Sequence, residues 1–221
     1  MVNTLKLPVG IDSFEKIRKN QFYYIDKTKL IEQLVETGGE VTLFTRPRRF
    51  GKTLNMNMLR SFFEIGADAS LFDGLYIAEN KELCEEYLGK YPVIFLTFKD
   101  IKFASWELTF AKIAELVQEE FGRHKELGMS EKLEPYEKDY FRKILAGQAN
   151  EVELSSSLQK LSKMLHEHYG KAPIIMIDEY DAPIQEGYSK KFYEEIIGFM
   201  RNFFSGAFKD NRHLSYGFLT G

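Results

Sequence analysis

The chain has 221 residues, 44% of them hydrophobic, which is enough to bury one sizeable core and allows either one domain or two small ones. Its formal net charge of −3 excludes a global attraction to nucleic acid, although a local basic patch stays compatible with it. The single cysteine, Cys84, cannot form an internal disulfide, and no apolar run approaches the roughly 18 residues that a membrane span needs. We therefore expect one cytoplasmic domain, residues 1–221, without a membrane segment.

The first 40 residues are predicted to form an N-terminal segment. Phe14–Lys19 is predicted to be a short helix or a turn, and Lys27–Glu36 is predicted to be a helix, because its apolar residues recur on one stripe. Gly38 and the glycine after it end this helix. The apolar run 41–45 follows at once and predicts a first, buried strand.

The loop after this strand has the composition of a phosphate-binding loop, and a predicted helix, Thr53–Ile65, follows it. Gly51 lets the backbone approach phosphate groups, Lys52 places an ammonium on the β and γ oxygens, and the Thr53 hydroxyl can hold Mg²⁺. The general GxxxxGK[ST] pattern has glycine where Arg46 stands, so the first bend must be built differently. The residues predicted to bind the nucleotide here are Arg46, Pro47, Arg48, Arg49, Phe50, Gly51, Lys52, Thr53 and Leu54.

Strands and helices alternate along the rest of the chain, which predicts an α/β fold with right-handed crossovers and a mainly parallel sheet. The apolar stripe of the helix that begins at Trp106 includes Leu108, and we expect this stripe to lie against the sheet. The predicted elements are a helix at Lys81–Leu88, a strand at Val93–Phe98, helices at Trp106–Phe121, Glu131–Ala146 and Val152–Tyr169, a strand at Pro173–Ile177, a loop after Pro183, a helix at Lys190–Phe204 and a strand at Leu214–Leu219.

A pair of carboxylates follows the strand at Pro173–Ile177. In phosphoryl transfer, the first carboxylate of such a pair supports Mg²⁺ and the second can deprotonate an attacking water, which gives these roles to Asp178 and Glu179. The prediction requires Lys52 and Asp178 to lie within the reach of one metal ion. The competing interpretation is that both apolar runs are core strands with polar residues at their ends.

Four segments together resemble the bacterial AAA-ATPase-like domain family, over nearly the whole chain. The resemblance implies a P-loop NTPase fold of the AAA/ASCE type, a three-layer sandwich with a mainly parallel central sheet, and it implies ATP and Mg²⁺ as cofactors. An arginine at the position of Arg46 is usual in this family. Members often carry a C-terminal domain related to PD-(D/E)XK nucleases. The segments are Leu7-Pro8-Val9-Gly10 with Ser13-Phe14, Tyr24-Ile25-Asp26-Lys27-Thr28, Thr45 to Thr53, and Ile177-Asp178-Glu179-Tyr180-Asp181.

The resemblance also implies where the last strand lies. In AAA-type topology this strand is inserted between the first and third strands, which would put Thr220 beside the γ-phosphate and the attacking water. Lys52, Glu179 and Thr220 are then the catalytic candidates, although Thr220 is equally well interpreted as an ordinary strand-end residue. Related cores continue into a fifth strand and a helical lid, so we expect the protein to extend beyond Gly221.

Several other residues have two interpretations. Tyr24 either stacks on the base or anchors the N-terminal segment, and Asp181 either supports the metal site or caps a turn. An arginine often neutralises transition-state charge, from the same or a neighbouring subunit, and Arg201 and Arg212 are the candidates. The histidines are interpreted as surface or isolated groups, namely His124, His166, His168 and His213.

Three functions are compatible with these motifs. The first is Mg²⁺-dependent ATP hydrolysis that moves or assembles an attached effector, with nucleic-acid processing or defence as one role. The second is a nucleotide-gated switch or scaffold that binds ATP and hardly turns it over. The third is a small-molecule kinase, but the adjacent acidic residues Asp178 and Glu179 favour water as the nucleophile. A homo-oligomer is compatible with each of the three.

Overall fold

The computed structural model describes residues 6–45, 47 and 50–221, and it has the mixed α/β character that the sequence predicts. The predictions on Arg46, Arg48 and Arg49 lie outside the described residues. The α-helices are α1 Phe14–Lys19, α2 Lys29–Thr37, α3 Lys52–Phe63, α4 Lys81–Tyr87, α5 Trp106–Arg123, α6 Pro135–Leu145, α7 Glu151–Ser155, α8 Ser157–Tyr169, α9 Ala182–Lys190 and α10 Tyr193–Phe208. The strands are β1 Val41–Phe44, β2 Val93–Thr97, β3 Ile174–Asp178 and β4 Tyr216–Thr220. Among these described helices, none is long and apolar enough to cross a bilayer.

The chain divides into two compact units, and the first comprises the residues up to Gly39 together with Thr45–Val93. Helices α1 and α3 pack on each other in this unit. The buried rings of Phe14 and Phe62 both lie against Phe72, with centroids 5.2 and 5.3 Å from it. The apolar face of α3 lies in the core of this unit, since all its members are buried, namely Met56, Met58, Leu59, Phe62 and Phe63.

Asp26 ties the N-terminal segment to the connection between α3 and α4. Its carboxylate accepts hydrogen bonds from the backbone N–H and the hydroxyl of Thr28, at 2.8 and 2.7 Å. The second carboxylate oxygen accepts the N–H of Tyr76 at 2.7 Å, and the Thr28 hydroxyl accepts the N–H of Ile77 at 3.1 Å. Hydrogen bonds to a charged acceptor are strong ones, so Asp26 has a structural role in this unit.

The second unit comprises Glu40–Phe44 and Ile94–Gly221 and contains the sheet, whose strand order is β1-β4-β3-β2. Strand β4 runs parallel to both of its neighbours, β1 and β3. The insertion of the last strand between the first and the third is thereby confirmed. Because the strands are parallel, the carboxyl ends of β1, β4 and β3 lie at the same edge of the sheet.

One hydrophobic cluster joins the sheet to its helices in the second unit. Ile175 and Ile177 of β3 belong to it, and the alternate residues Ile174 and Met176, which point to the other face, are also fully buried. The strand before the carboxylate pair is therefore buried on both faces. Helices α5, α6, α7, α8 and α10 all contribute members to the cluster, and those from α5, α8 and α10 include Ile113, Val117, Phe121, Leu158, Leu161, Leu165, Ile196, Phe199, Met200 and Phe203.

The prediction that the first strand is buried is wrong. Val41 and Leu43 of β1 are 42% and 49% exposed, and the residues between and after them are only half-buried. The reason is position, since β1 is the first strand in the sheet order, whereas an apolar run predicts a strand without telling an edge from a centre.

Three predictions about helices also need correction. Residues 182–190 form α9 and not a loop, because Pro183 stands in the first turn of a helix, where proline is favoured. The single helix predicted at Val152–Tyr169 is two helices, α7 and α8, with a break at Ser156. Leu108 of α5 is 55% exposed, so the apolar stripe of that helix is narrower than predicted.

A buried ionic network lies beside β2. It includes Glu120 and Arg123, for which the sequence analysis predicted no role. The Glu120 carboxylate accepts the backbone N–H of Phe95 in β2 at 2.9 Å. Arg123 donates to both oxygens of the same carboxylate at 2.7 and 2.8 Å, and His124 lies 3.3 Å from it. His124 is thus a buried partner of Glu120, and its interpretation as an isolated residue is wrong.

This network predicts how stability depends on pH. Burial opposes protonation of His124, but its interactions with Glu120 and Glu126 outweigh burial and raise the pKa of the imidazole above its ordinary value of 6.5. The bond from His124 lowers the pKa of Glu126 to about 2, so this partner stays ionised near neutrality. A raised pKa in the folded state stabilises the protein below the unfolded pKa, and the contribution disappears as pH rises through the folded pKa.

We therefore expect the free energy of unfolding of the parent to exceed that of His124→Gln by more at pH 6.0 than at pH 8.5. Urea denaturation of both proteins at the two pH values measures this difference. A difference that does not change with pH would show that His124 acts through packing alone.

Candidate functional site

The carboxylate pair lies at the end of β3, where the chain leaves the sheet. Asp178 is the last residue of β3 and is fully buried, and its backbone carbonyl accepts the N–H of Phe98 at 2.9 Å. The β3–β4 register pairs Ile177 with Leu219, so Asp178 stands level with Thr220, the last residue of β4. Two strand ends therefore place an acidic and a hydroxyl side chain side by side.

Thr220 is bonded to the residues of the pair through both its side chain and its backbone. Its hydroxyl donates to the Asp178 carboxylate at 2.5 Å and accepts the backbone N–H of Glu179 at 3.2 Å. Its carbonyl accepts the N–H of Tyr180 at 3.0 Å. Thr220 is 1% exposed, so these bonds are sheltered from water. The structure thus brings Asp178, Glu179 and Thr220 together.

Glu179 has an unusual backbone conformation. Its φ angle is 52°, in the left-handed region that residues with a Cβ seldom enter. Such conformations persist where the surroundings hold them, and here the bonds to Thr220 do so on either side of the Glu179 Cα. The side chain of Glu179 is only half-buried and therefore open to solvent.

The end of β1 belongs to the same edge of the sheet. Phe44, its last residue, pairs with Thr220 in the parallel register. The next residue, Thr45, begins the segment that leads to the Gly-Lys-Thr sequence at residues 51–53.

In the first unit, Gly51 has φ 74° and is the N-cap of α3, which begins at Lys52. Glycine adopts this left-handed conformation without the steric cost that a Cβ would impose. No atom of the described residues lies within 4 Å of where a Cβ on Gly51 would stand, so the backbone there is open to a ligand. Thr53 and Leu54 follow in the first turn, and both are half-buried.

The other predicted nucleotide-binding residues of the described chain have different surroundings. Pro47 and Phe50 are exposed. Tyr24 packs edge-on against Phe14, with the ring centroids 5.3 Å apart, and burial raises the pKa of its hydroxyl to about 12. This packing fits the anchoring interpretation of Tyr24, whereas base stacking stays a prediction.

The remaining candidates are placed as follows. Arg201 on α10 and Arg212 before β4 are both exposed. The Asp181 carboxylate accepts a hydrogen bond from the Gln185 side chain at 2.5 Å, and its own side chain makes no capping bond to α9. A side-chain cap is therefore not observed for Asp181, and its role at the metal site stays a prediction.

The other histidines have polar partners as well, and the interpretation of His213 as an isolated group is wrong. His166 and His213 lie with their Nδ1 atoms 3.0 Å apart, and Nδ1 of His168 is 2.8 Å from the Ser130 hydroxyl. Within the described part of the chain, no three His, Cys, Asp or Glu side chains are grouped so that they could hold a metal ion.

The comparison with known proteins identifies the family. Residues 8–221 match the profile of the family described as "Predicted AAA-ATPase", so the chain belongs to this family. It is 28% identical over 218 residues to the "Uncharacterized protein in vnfD 5'region" of Azotobacter chroococcum mcd 1, a match that covers 98% of this chain and 37% of the relative. The chain therefore spans little more than a third of that relative's length. No solved structure matches it.

The hydroxyl of Thr220 gives a prediction on stability. Thr220→Val keeps the shape of the side chain but removes one donor from the buried Asp178 carboxylate and the acceptor of the Glu179 N–H, so we expect a loss of about 1–3 kcal/mol. Chemical denaturation measures the loss, and Thr220→Ser should restore most of it.

Thr109→Val is the matched control for this substitution. Thr109 is also fully buried, and its hydroxyl has no hydrogen-bond partner among the described residues. We expect this control to be neutral or stabilising. Equal losses at the two positions would argue against the role given to the Thr220 hydroxyl.

Proposed function

We propose that the protein binds ATP with Mg²⁺ and hydrolyses it, and that the change of nucleotide state moves an attached effector. The observation that carries this proposal is the cluster of Asp178, Glu179 and Thr220 at the carboxyl edge of a parallel sheet. In open sheets of this kind, ligands bind outside the carboxyl ends of the strands. Membership of a family described as predicted AAA-ATPases supports the choice of ATP.

The loop side supports a phosphate ligand for an independent reason. The N-terminal N–H groups of a helix have no partners within the helix and carry partial positive charge, so they favour anions. Helix α3 begins at Lys52, directly after the open backbone of Gly51. Lys52 would add a full positive charge, and the arginines at 46, 48 and 49 would add more in the same segment.

The donor set fits a magnesium ion, which prefers hydroxyl, carboxylate and water oxygens. Thr53 and Asp178 are the residues that we expect to hold it. When bound, Mg²⁺ neutralises charge that develops on the β- and γ-phosphates. Tyr24 is proposed to contact the base.

Glu179 is proposed as the general base. Its carboxylate would take a proton from a water molecule while the water oxygen bonds to the γ-phosphorus. The bond from that phosphorus to the bridging oxygen breaks, and ADP leaves with the electron pair. Thr220 is proposed to couple hydrolysis to the position of the sheet strands. Its hydroxyl is hydrogen-bonded to both the Asp178 carboxylate and the Glu179 backbone N–H.

We propose an attached effector because the relative is much longer than this chain, which covers only 37% of it. A nuclease-like C-terminal domain, and with it a nucleic-acid partner, is one candidate for the remainder of the protein. A homo-oligomer is the other arrangement in which hydrolysis could do work. The exposed Arg201 or Arg212 would then reach the nucleotide of a neighbouring subunit.

Steady-state phosphate release with ATP, in the presence of Mg²⁺ or of excess EDTA, tests the proposal. We expect turnover with Mg²⁺ and none with EDTA, and a parallel measurement with GTP tests the preference for adenine. Tight ATP binding without phosphate release would indicate a switch or scaffold. ATP consumption that requires an added acceptor would indicate a kinase.

A further inference from the structure

The residue after the proposed base, Tyr180, has a ring that is confined on two sides. A Cβ placed on Gly221 would lie 2.7 Å from Cε1 and 3.2 Å from Cζ of this ring, so the tyrosine lies directly against the glycine backbone. On another side, Phe204 of α10 meets the ring edge-on, with centroids 6.0 Å apart and an interplanar angle of 88°. A ring held in this way restricts the backbone that carries it.

The backbone at this point has two requirements. Glu179 must stay at φ 52°, a conformation that is unfavourable for a residue with a Cβ. The N–H groups of Glu179 and Tyr180 must also stay on the hydroxyl and the carbonyl of Thr220, at 3.2 and 3.0 Å. The Tyr180 ring packs on Gly221, the residue that follows Thr220, so it fastens the same two chain segments that these bonds join.

We propose that Tyr180 is a positioning residue, whose ring, held between Gly221 and Phe204, keeps Glu179 in its left-handed conformation and its carboxylate in place for the attacking water. This proposal rests on the proposed hydrolysis of ATP for its kinetic consequence. It also has a conformational consequence that does not depend on any activity.

The ring and not the hydroxyl is the group that makes both of these contacts. Tyr180→Phe should therefore keep parental kcat, and Tyr180→Ala should lower kcat for ATP hydrolysis by about 100-fold, the effect of a misplaced catalytic group. The KM for ATP and the nucleotide affinity should change little, because the loop that is proposed to bind the phosphates is not altered.

Gly221→Ala gives a second approach to the same contact. The added methyl group would stand 2.7 Å from the ring and must displace it, so we expect kcat to fall in this variant as well. Tyr188→Ala is the matched control, because Tyr188 is an exposed tyrosine on α9 whose ring packs edge-on against Tyr193.

Amide hydrogen exchange of Glu179 and Tyr180 tests the conformational part by itself. In Tyr180→Ala, we expect exchange at these two amides to accelerate at least tenfold while exchange in β3 and α10 stays parental. Unchanged protection of the two amides would overturn the proposal whether or not the protein hydrolyses ATP. If exchange is faster in Tyr180→Ala but the parent protein releases no phosphate, only the proposed hydrolysis is refuted.

If the parent protein hydrolyses ATP and Tyr180→Ala has the same kcat as the parent, the positioning role is also overturned. A loss of activity that Tyr180→Phe shares would do the same, since it would assign the effect to the hydroxyl. A uniform loss of protection throughout the second unit would identify Tyr180 as a residue of general stability and so contradict the proposal.

Discussion

Glu179→Gln is expected to leave ATP binding intact and to reduce steady-state phosphate release by about 10²–10⁴-fold. Glutamine has nearly the same shape as glutamate and can occupy the same half-buried position, but it cannot accept a proton from water. The backbone bond to Thr220 uses the N–H of residue 179, which the substitution keeps. Binding should be measured by calorimetry with ATP, and turnover by phosphate release under the same conditions.

Glu195→Gln is the matched control for this experiment. Glu195 lies exposed on α10 and loses the same negative charge, so any effect of net charge on nucleotide binding should appear there too. Turnover at the parental rate in Glu179→Gln would refute the assignment of the base. Loss of binding in Glu179→Gln alone would mean that the carboxylate contributes to the nucleotide site and not only to the chemistry.

The sequence predicts most of the helices and strands because several local signals agree. Helix α1 has the predicted bounds, and its N-cap Ser13 accepts the N–H of Lys16. Predicted and observed bounds of β3 differ by a single residue at each end, since a short apolar run ending in charge leaves little choice. Strand β4, in contrast, owes its predicted place between β1 and β3 to the family resemblance.

The predictions that failed concern distance and neighbours. The exposure of Val41 depends on the position of β1 in the sheet order. The residues around Val41 do not indicate whether their strand lies at an edge or in the centre of the sheet. His166 and His213 are far apart in the chain and meet only because α8 and the approach to β4 are brought together by the fold. The network around Glu120 is predictable from the local sequence. Arg123 and His124 follow Glu120 at the i+3 and i+4 spacing that places residues on one face of a helix.

Half of the candidate site could be read from the sequence. Residue types and strand context identified Asp178 and Glu179, and the resemblance added Thr220. The left-handed backbone of Glu179 could not be read, because it is held by bonds to a residue 41 positions away. The contact of Tyr180 with Gly221 depends on the same β3–β4 register and was missed for the same reason.

Lys52→Ala is expected to weaken ATP binding by about 100-fold or more, because hydrogen bonds to a charged group contribute about 1.5–3 kcal/mol each and the ammonium can make several with phosphate oxygens. The fold should tolerate the change, since alanine has the highest helix propensity and residue 52 is the first residue of α3. Calorimetric titration with ATP measures the effect, and thermal denaturation verifies that the variant is folded. Lys81→Ala is the matched control, because Lys81 is likewise the first residue of a helix, α4, in the same unit and lies exposed. Parental ATP affinity in Lys52→Ala would remove the loop from the nucleotide site, and the proposed ATPase would then lose the half of its site that binds the phosphates.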